Sequence, residues 1–90
     1  MKLLVFYRKN SDHSQIIEEF LINLRDGRGF DDIEEIDIDK PEAQLKLQLR
    51  DIVDKPVLMA EAEDGNITKI WQGSMLPTIN EVVSYLVVRG

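Results

Sequence analysis

Residues 53–58, with the sequence VDKPVL, carry the prediction of the fold in this 90-residue chain. A proline directly before an apolar run marks the start of a strand, because proline cannot donate a hydrogen bond to a neighbouring strand. The run after Pro56 predicts a strand over 57–62, and residues 67–71 predict a second one. The Asp64-Gly65 pair between them is typical of a hairpin turn. We therefore expect these two strands to be antiparallel.

The segments before this hairpin predict a strand, a helix and a second strand. Residues 3–7 form a continuous apolar run, which is typical of a strand buried on both faces. Capping residues among positions 10–14 predict a helix start, and Gly27 and Gly29 predict its end. Residues 33–39 predict a strand near a sheet edge. The apolar face of this first helix comprises Ile16, Ile17, Phe20, Leu21 and Leu24.

The segment after Pro41 supports two readings. Leucines alternate with polar residues over 43–49, which favours a strand, yet every residue there is a good helix former. We predict a helix in which Leu47 lies on the outer face. Its buried stripe would comprise Leu45, Leu49, Ile52 and Val53.

The last element is predicted by a capping box over residues 78–81, followed by apolar residues at helical spacing. The predicted order is β-α-β-α-β-β-α in a single domain over residues 1–90. A strand–helix–strand unit gives a parallel pair with a right-handed crossover, whereas the hairpin is antiparallel. The expected fold class is α/β, with a four-stranded mixed sheet flanked by three helices.

Composition narrows the possible functions. The chain contains no Cys, which excludes disulfides, thiolate catalysis, iron–sulfur clusters and thiolate zinc sites within it. The net charge of −6 disfavours nucleic-acid partners and anionic membranes. We expect no cofactor, and we expect a cytoplasmic protein because the apolar run at the N-terminus is too short for a signal peptide. The acidic residues of 31–39, with Asp37 and Asp39 on one strand face, are expected to be a solvated edge rather than a metal site.

The chain resembles the thioredoxin/glutaredoxin superfamily over most of its length. That family has this element order, a cis-proline opening its third strand, and a glycine between its last strand and last helix. Pro56 and Gly73 match these positions. The family also carries Cys-x-x-Cys after its first strand. Here residues 11–14 read Ser11-Asp12-His13-Ser14, with serine at both cysteine positions.

This departure decides what the resemblance implies for chemistry. A serine hydroxyl forms no disulfide, so we expect the chain to be redox-inactive. His13 is the only histidine and lies beside Ser14, in a geometry that does not suit hydroxyl activation. Two enzymatic alternatives stay open. Ser11 and Ser14 could replace cysteines of a thiol–disulfide oxidoreductase, or Ser11 and Pro56 could bind glutathione as in glutathione transferases.

The preferred hypothesis is a binding domain. The resemblance places a groove beside residues 11–14 and Pro56, and we expect a peptide or protein partner to lie in it. Arg8, Lys9 and Lys55 would supply positive charge. The loop formed by Gly73, Met75 and Leu76 would supply an apolar rim. Trp71 is expected to be half-buried at the end of a strand.

Overall fold

The computed structural model describes residues 1–9, 11, 14–73 and 75–86. The predicted order of elements is confirmed. A single π-helical turn, Asn23–Gly27, continues the first helix. The elements are β1 (Lys2–Tyr7), α1 (Ser14–Ile22), β2 (Ile33–Asp37), α2 (Pro41–Leu49), β3 (Val57–Glu61), β4 (Ile67–Gln72) and α3 (Ile79–Leu86).

The four strands form one mixed sheet in the order β2-β1-β3-β4. β1 and β2 are parallel, whereas β3 is antiparallel to both β1 and β4. β1 is buried over residues 3–7, as its apolar sequence predicts. The turn between β3 and β4 places Gly65 at φ +89°, a conformation that glycine adopts without steric cost. The predicted antiparallel hairpin is confirmed.

The helices cover both faces of the sheet. α1 and α3 lie on one face, where Leu21 and Val82 pack with Val5. α2 lies on the other face, where Ala43 and Leu47 pack with the β1 and β3 side chains of that face. The first strand therefore contributes alternate residues to two separate cores. β1 ends at Tyr7, and the chain leaves the sheet there, between the two cores.

The predicted buried face of α2 is wrong. Leu47 is 3% exposed, whereas Leu45 is 57% and Leu49 77% exposed. The prediction assumed that helical spacing continues to Ile52 and Val53, but α2 ends at Leu49. Asp51 then has φ +55°, which turns the chain so that Ile52 returns to the core and Val53 stays exposed. The stripe of 45, 49, 52 and 53 therefore does not exist.

Two smaller predictions have clear outcomes. Ile16 is 51% exposed, so the buried face of α1 is narrower than its sequence suggested. At the start of α3, the Thr78 hydroxyl accepts a hydrogen bond from the Glu81 amide at 3.0 Å, which is one half of the predicted capping box. The Glu81 carboxylate instead accepts a hydrogen bond from the Trp71 indole at 2.6 Å. This contact ties α3 to half-buried Trp71, as expected for that residue.

Candidate functional site: the groove between Ser11 and Pro56

The loop after β1 is organised by two serine hydroxyls. Ser11 donates to the carbonyl oxygen of Arg8 at 2.6 Å, and Ser14 donates to the carbonyl oxygen of Ser11 at 2.9 Å. The amide of Ser14 also donates to that Ser11 oxygen, at 3.2 Å. These bonds close a turn immediately before α1. Both hydroxyls act as local structural donors, which is a common use of serine at such a turn.

Pro56 forms the opposite side of the site. The Lys55–Pro56 peptide bond is cis, as the resemblance predicted, and the proline ring is buried. Its carbonyl oxygen accepts a hydrogen bond from the Gly73 amide at 3.0 Å. Gly73 has φ +96°, a backbone conformation that residues with a Cβ rarely adopt. The bond from Gly73 therefore fixes the loop after β4 beside the start of β3.

Ser11 and Pro56 line the same groove, whose volume is about 220 Å³. Tyr7 and Ile38 contribute apolar walls, and Arg8 and Lys55 contribute cationic side chains. Because the chain carries a net charge of −6, this pair of cations makes the groove differ in sign from most of the surface. The groove therefore presents positive charge that attracts a negatively charged group.

Arg8 is not a free cation in this groove. Its guanidinium donates two hydrogen bonds to Asp39, at 3.0 and 2.8 Å. The hydrogen bonds from Arg8 hold the pKa of the Asp39 carboxyl below its usual value. The nearby Lys55 ammonium lowers this pKa further. An anionic group that enters the groove therefore competes with Asp39 for Arg8 and Lys55.

Tyr7 links the groove to the sheet interior. Its hydroxyl donates to Glu35 at 2.7 Å, and Arg25 donates to the other oxygen of the same carboxylate at 3.4 Å. Burial, followed by the contact with Glu35, raises the pKa of Tyr7 well above its usual value. The Tyr7 hydrogen bond lowers the pKa of Glu35. Tyr7 is therefore a neutral donor at physiological pH and holds β1 to β2 through side chains.

The structure brings together four of the predicted site residues: Arg8, Ser11, Lys55 and Pro56. Gly73 joins them through its bond to Pro56, and Met75 in the same loop is 91% exposed. Two predicted positions lie elsewhere. Lys9 lines a neighbouring concavity along β2, and Leu76 packs against the core beneath α1 and α3. Asp12 and His13 fall outside the described residues.

Sequence reasoning missed three groove residues: Tyr7, Ile38 and Asp39. The sequence predicts a strand over 33–39 that includes Ile38, and a solvated edge that includes Asp39, but both residues follow the last residue of β2 and lie near the end of β1. The Ile38 amide donates to the Tyr7 carbonyl oxygen at 3.4 Å. The predicted strand topology could have identified these residues, because adjacent parallel strands end at the same edge of a sheet. Residues that follow β1 and β2 therefore meet there.

Within the described part of the chain, no group of three acidic or histidine side chains is arranged to hold a metal ion. Asp37 and Asp39 are instead used locally: an Asp37 carboxylate oxygen accepts a hydrogen bond from the Asp39 amide at 2.9 Å. None of the helices in the described ranges is long and apolar enough to cross a membrane.

Solved structures share this fold. The glutaredoxin-like protein NrdH-redoxin from Escherichia coli is 24% identical, with a TM-score of 0.64, over 91% of this chain and 95% of that one. Thioredoxin 1 from Thermosipho africanus is 16% identical, with a TM-score of 0.65, over 96% and 90%. The C-terminal domain of DsbD from Neisseria meningitidis is 18% identical, with a TM-score of 0.65, over 93% and 76%.

No protein-family model and no curated protein sequence matches the chain. The likeness is therefore one of architecture, and it agrees with the sheet order, the cis bond before Pro56 and the left-handed Gly73. The structural neighbours include a thioredoxin and a glutaredoxin-like protein, whereas this chain has no Cys at any of its 90 positions. The chain therefore has a thioredoxin-like fold and contains no cysteine.

Proposed function

We propose that this domain binds an extended, acidic segment of a partner protein in the groove between Ser11 and Pro56, without redox chemistry. The observation that carries the proposal is the backbone beside the cis bond. Among the described residues, no backbone hydrogen bond involves the amide or the carbonyl of Lys55. Lys55 is exposed and lines the groove. Its main-chain groups are therefore available to pair with a passing chain.

The groove's side chains favour an acidic partner with an apolar residue. Lys55 has no ion pair among the described residues, and Arg8 presents a guanidinium that Asp39 only partly covers. Pro56, Ile38 and the exposed Met75 offer apolar contact. A groove of about 220 Å³ encloses only part of a peptide, so we expect a dissociation constant in the range of roughly 1–100 µM.

The absence of Cys makes binding the function that the site supports best. Thiol–disulfide exchange needs a thiolate that attacks a disulfide, and the chain supplies none. Ser11 and Ser14 donate their protons to backbone carbonyl oxygens, which leaves neither hydroxyl facing a base among the described residues. The chain therefore has the groove but no group that can carry out thiol–disulfide exchange.

The proposal is tested with a blocked acidic peptide, Ac-GTELDVT-NH2, titrated into the 90-residue chain by isothermal calorimetry. Its charge-reversed counterpart, Ac-GTKLKVT-NH2, is the control ligand. We expect the acidic peptide to bind and Lys55→Glu to weaken it about fivefold or more, because an exposed charge pair contributes up to about 1 kcal/mol and reversal replaces attraction by repulsion.

Two control variants match these changes. Arg28→Glu makes the same charge change at an exposed position outside the groove, and it should leave the affinity unchanged. Met75→Asp should weaken binding, whereas Leu49→Asp, at an exposed apolar residue on α2, should not. Equal binding of the two peptides, or equal effects of Lys55→Glu and Arg28→Glu, would refute the groove as the binding site. Titration of glutathione tests the alternative ligand.

A further inference from the structure

We infer a second binding surface, distinct from the Ser11–Pro56 groove, along the free edge of β2. There a partner strand would pair with the sheet while its side chains contact α2. β2 is the first strand in the order β2-β1-β3-β4, so in the described part of the chain one of its edges has no neighbouring strand. A concavity of about 580 Å³ runs along this edge, more than twice the volume of the groove.

The register with β1 identifies the backbone groups at this edge. Leu3 pairs with Ile33 and Val5 with Glu35, and the Leu3 amide donates to the Asp32 carbonyl oxygen. In a parallel pair of this register, even-numbered residues of β2 bond to β1 and odd-numbered residues direct their N–H and C=O groups away from it. The Ile33 amide is already bonded to Asp31. Among the described residues, the backbone N–H and C=O groups of Glu35, in the middle of the strand, therefore have no partner.

The concavity beside this strand has an apolar floor, and its rim carries charges of both signs: three lysines together with Glu34, Glu35, Asp37 and Glu42. Phe6, Ile36 and Ala43 form the floor, and Ile36 is only half-buried. Lys9, Lys40 and Lys46 lie around it. None of these three lysines has an ion pair among the described residues. An apolar side chain of a partner strand would therefore cover the floor. Acidic residues on either side of it would pair with the three lysines.

The acidic side chains of β2 do not all lie on the same face of the sheet. Glu34 pairs with Lys2 at 3.4 Å. Glu35 and Asp37 also line the concavity, but they alternate with Ile36 along β2, and the Glu35 carboxylate is bonded to Tyr7 and Arg25 on the α1 side of the sheet. A complementary strand therefore carries acidic residues around an apolar one on the α2 side, and basic residues on the α1 side. The charges at this edge therefore favour a partner strand whose acidic and basic residues lie on opposite faces.

A second copy of this chain is a poor occupant. Antiparallel pairing of two β2 strands around their centres would place Glu35 opposite Glu35, and like charges directly opposite destabilise a sheet. Charged side chains on an edge strand are a general means of preventing such self-association. The partner is therefore a different polypeptide with the complementary alternation.

The test uses two blocked peptides of identical composition and zero net charge. Ac-TEKVKET-NH2 places glutamates and valine on one face and lysines on the other, whereas Ac-TEEVKKT-NH2 mixes the charges on each face. Each is titrated into the isotopically labelled 90-residue chain and followed by amide chemical shifts and hydrogen exchange. We expect the first peptide to shift the amides of residues 35–37 saturably and to slow exchange of the Glu35 amide. The second should bind at least about fivefold more weakly.

Paired variants locate the contact. Lys46→Glu should weaken binding of the first peptide, whereas Arg50→Glu, the same charge change at the C-cap of α2 and outside the concavity, should not. Lys55→Glu, which tests the groove, should also leave it unchanged, so the two proposals fail independently. The inference is overturned if neither peptide binds, if both bind equally or if the shifts map elsewhere. Protection of Glu35 that grows with protein concentration, without peptide, would overturn it in favour of a second copy.

Discussion

Truncation of Leu47 to alanine tests how α2 is attached to the sheet. Leu47 is 3% exposed and packs with Phe6 and Met59, so its removal leaves a cavity beneath the helix. Buried Leu→Ala substitutions cost about 2–5 kcal/mol, and we expect about 3 kcal/mol here because α2 contributes only Ala43 and Leu47 to this core from within the helix. At about 4–8 °C per kcal/mol, Tm falls by roughly 12–24 °C.

Leu45→Ala is the matched control for this prediction. Leu45 is 57% exposed on the same helix, so its truncation should change the free energy of unfolding by less than about 0.5 kcal/mol. Urea unfolding followed by the fluorescence of Trp71, the only tryptophan, measures both variants. If Leu45→Ala cost as much as Leu47→Ala, the buried face of α2 described above would be wrong.

Three further predictions concern the groove and its supports. Tyr7→Phe should cost about 1–2 kcal/mol, because it removes a hydrogen bond to the charged carboxylate of Glu35. Since the Tyr7 hydrogen bond holds the folded-state pKa of Glu35 below its usual value, this contribution is present at neutral pH and is lost as pH falls through the lowered pKa. The difference between variant and parent in urea midpoint should therefore shrink in acid. Gly73→Ala should destabilise the chain by about 1 kcal/mol or more because of its φ of +96°, whereas Gly27→Ala, at a glycine without a positive φ, should not. The double variant S11C/S14C should form an intrachain disulfide on oxidation and gain disulfide reductase activity over the parent, measured by free-thiol titration and turbidity of reduced insulin; unchanged thiol content after oxidation would contradict the inferred turn geometry.

The order of elements could be predicted because each depends on a local signal. The apolar run of β1, the Asp64-Gly65 turn and the cap at Thr78 each act within a few residues, and each was confirmed. The cis proline was predicted from the family resemblance, since sequence alone does not distinguish it from a trans bond.

The buried face of α2 could not be predicted because its leucines alternate. Successive positions two apart differ by about 200° around a helix axis, so Leu45 and Leu49 share one side and Leu47 the other. The sequence therefore favoured burial of the side with two leucines over the side with one. The structure instead selects the side of Leu47, with Ala43 one turn before it, because Ile52 returns to the same core after a turn that periodicity does not describe.

The charge of the groove also depended on a contact between distant residues. Arg8 and Asp39 are 31 positions apart, and only the parallel pairing of β1 with β2 brings them together. Sequence analysis therefore counted Arg8 as a free cation. Among the described residues, Lys55 is the groove cation without an ion pair, and its unpaired backbone was expected from the proline that follows it.

Hydrogen exchange at the Lys55 amide tests the central claim most directly. If a partner segment pairs with the backbone beside Pro56, saturation with Ac-GTELDVT-NH2 should slow exchange of this amide by about tenfold or more, while amides outside the groove, such as that of Arg28, keep their rates. The same slowing should be absent with the charge-reversed peptide. An unchanged Lys55 exchange rate at saturating acidic peptide would contradict backbone pairing in the groove.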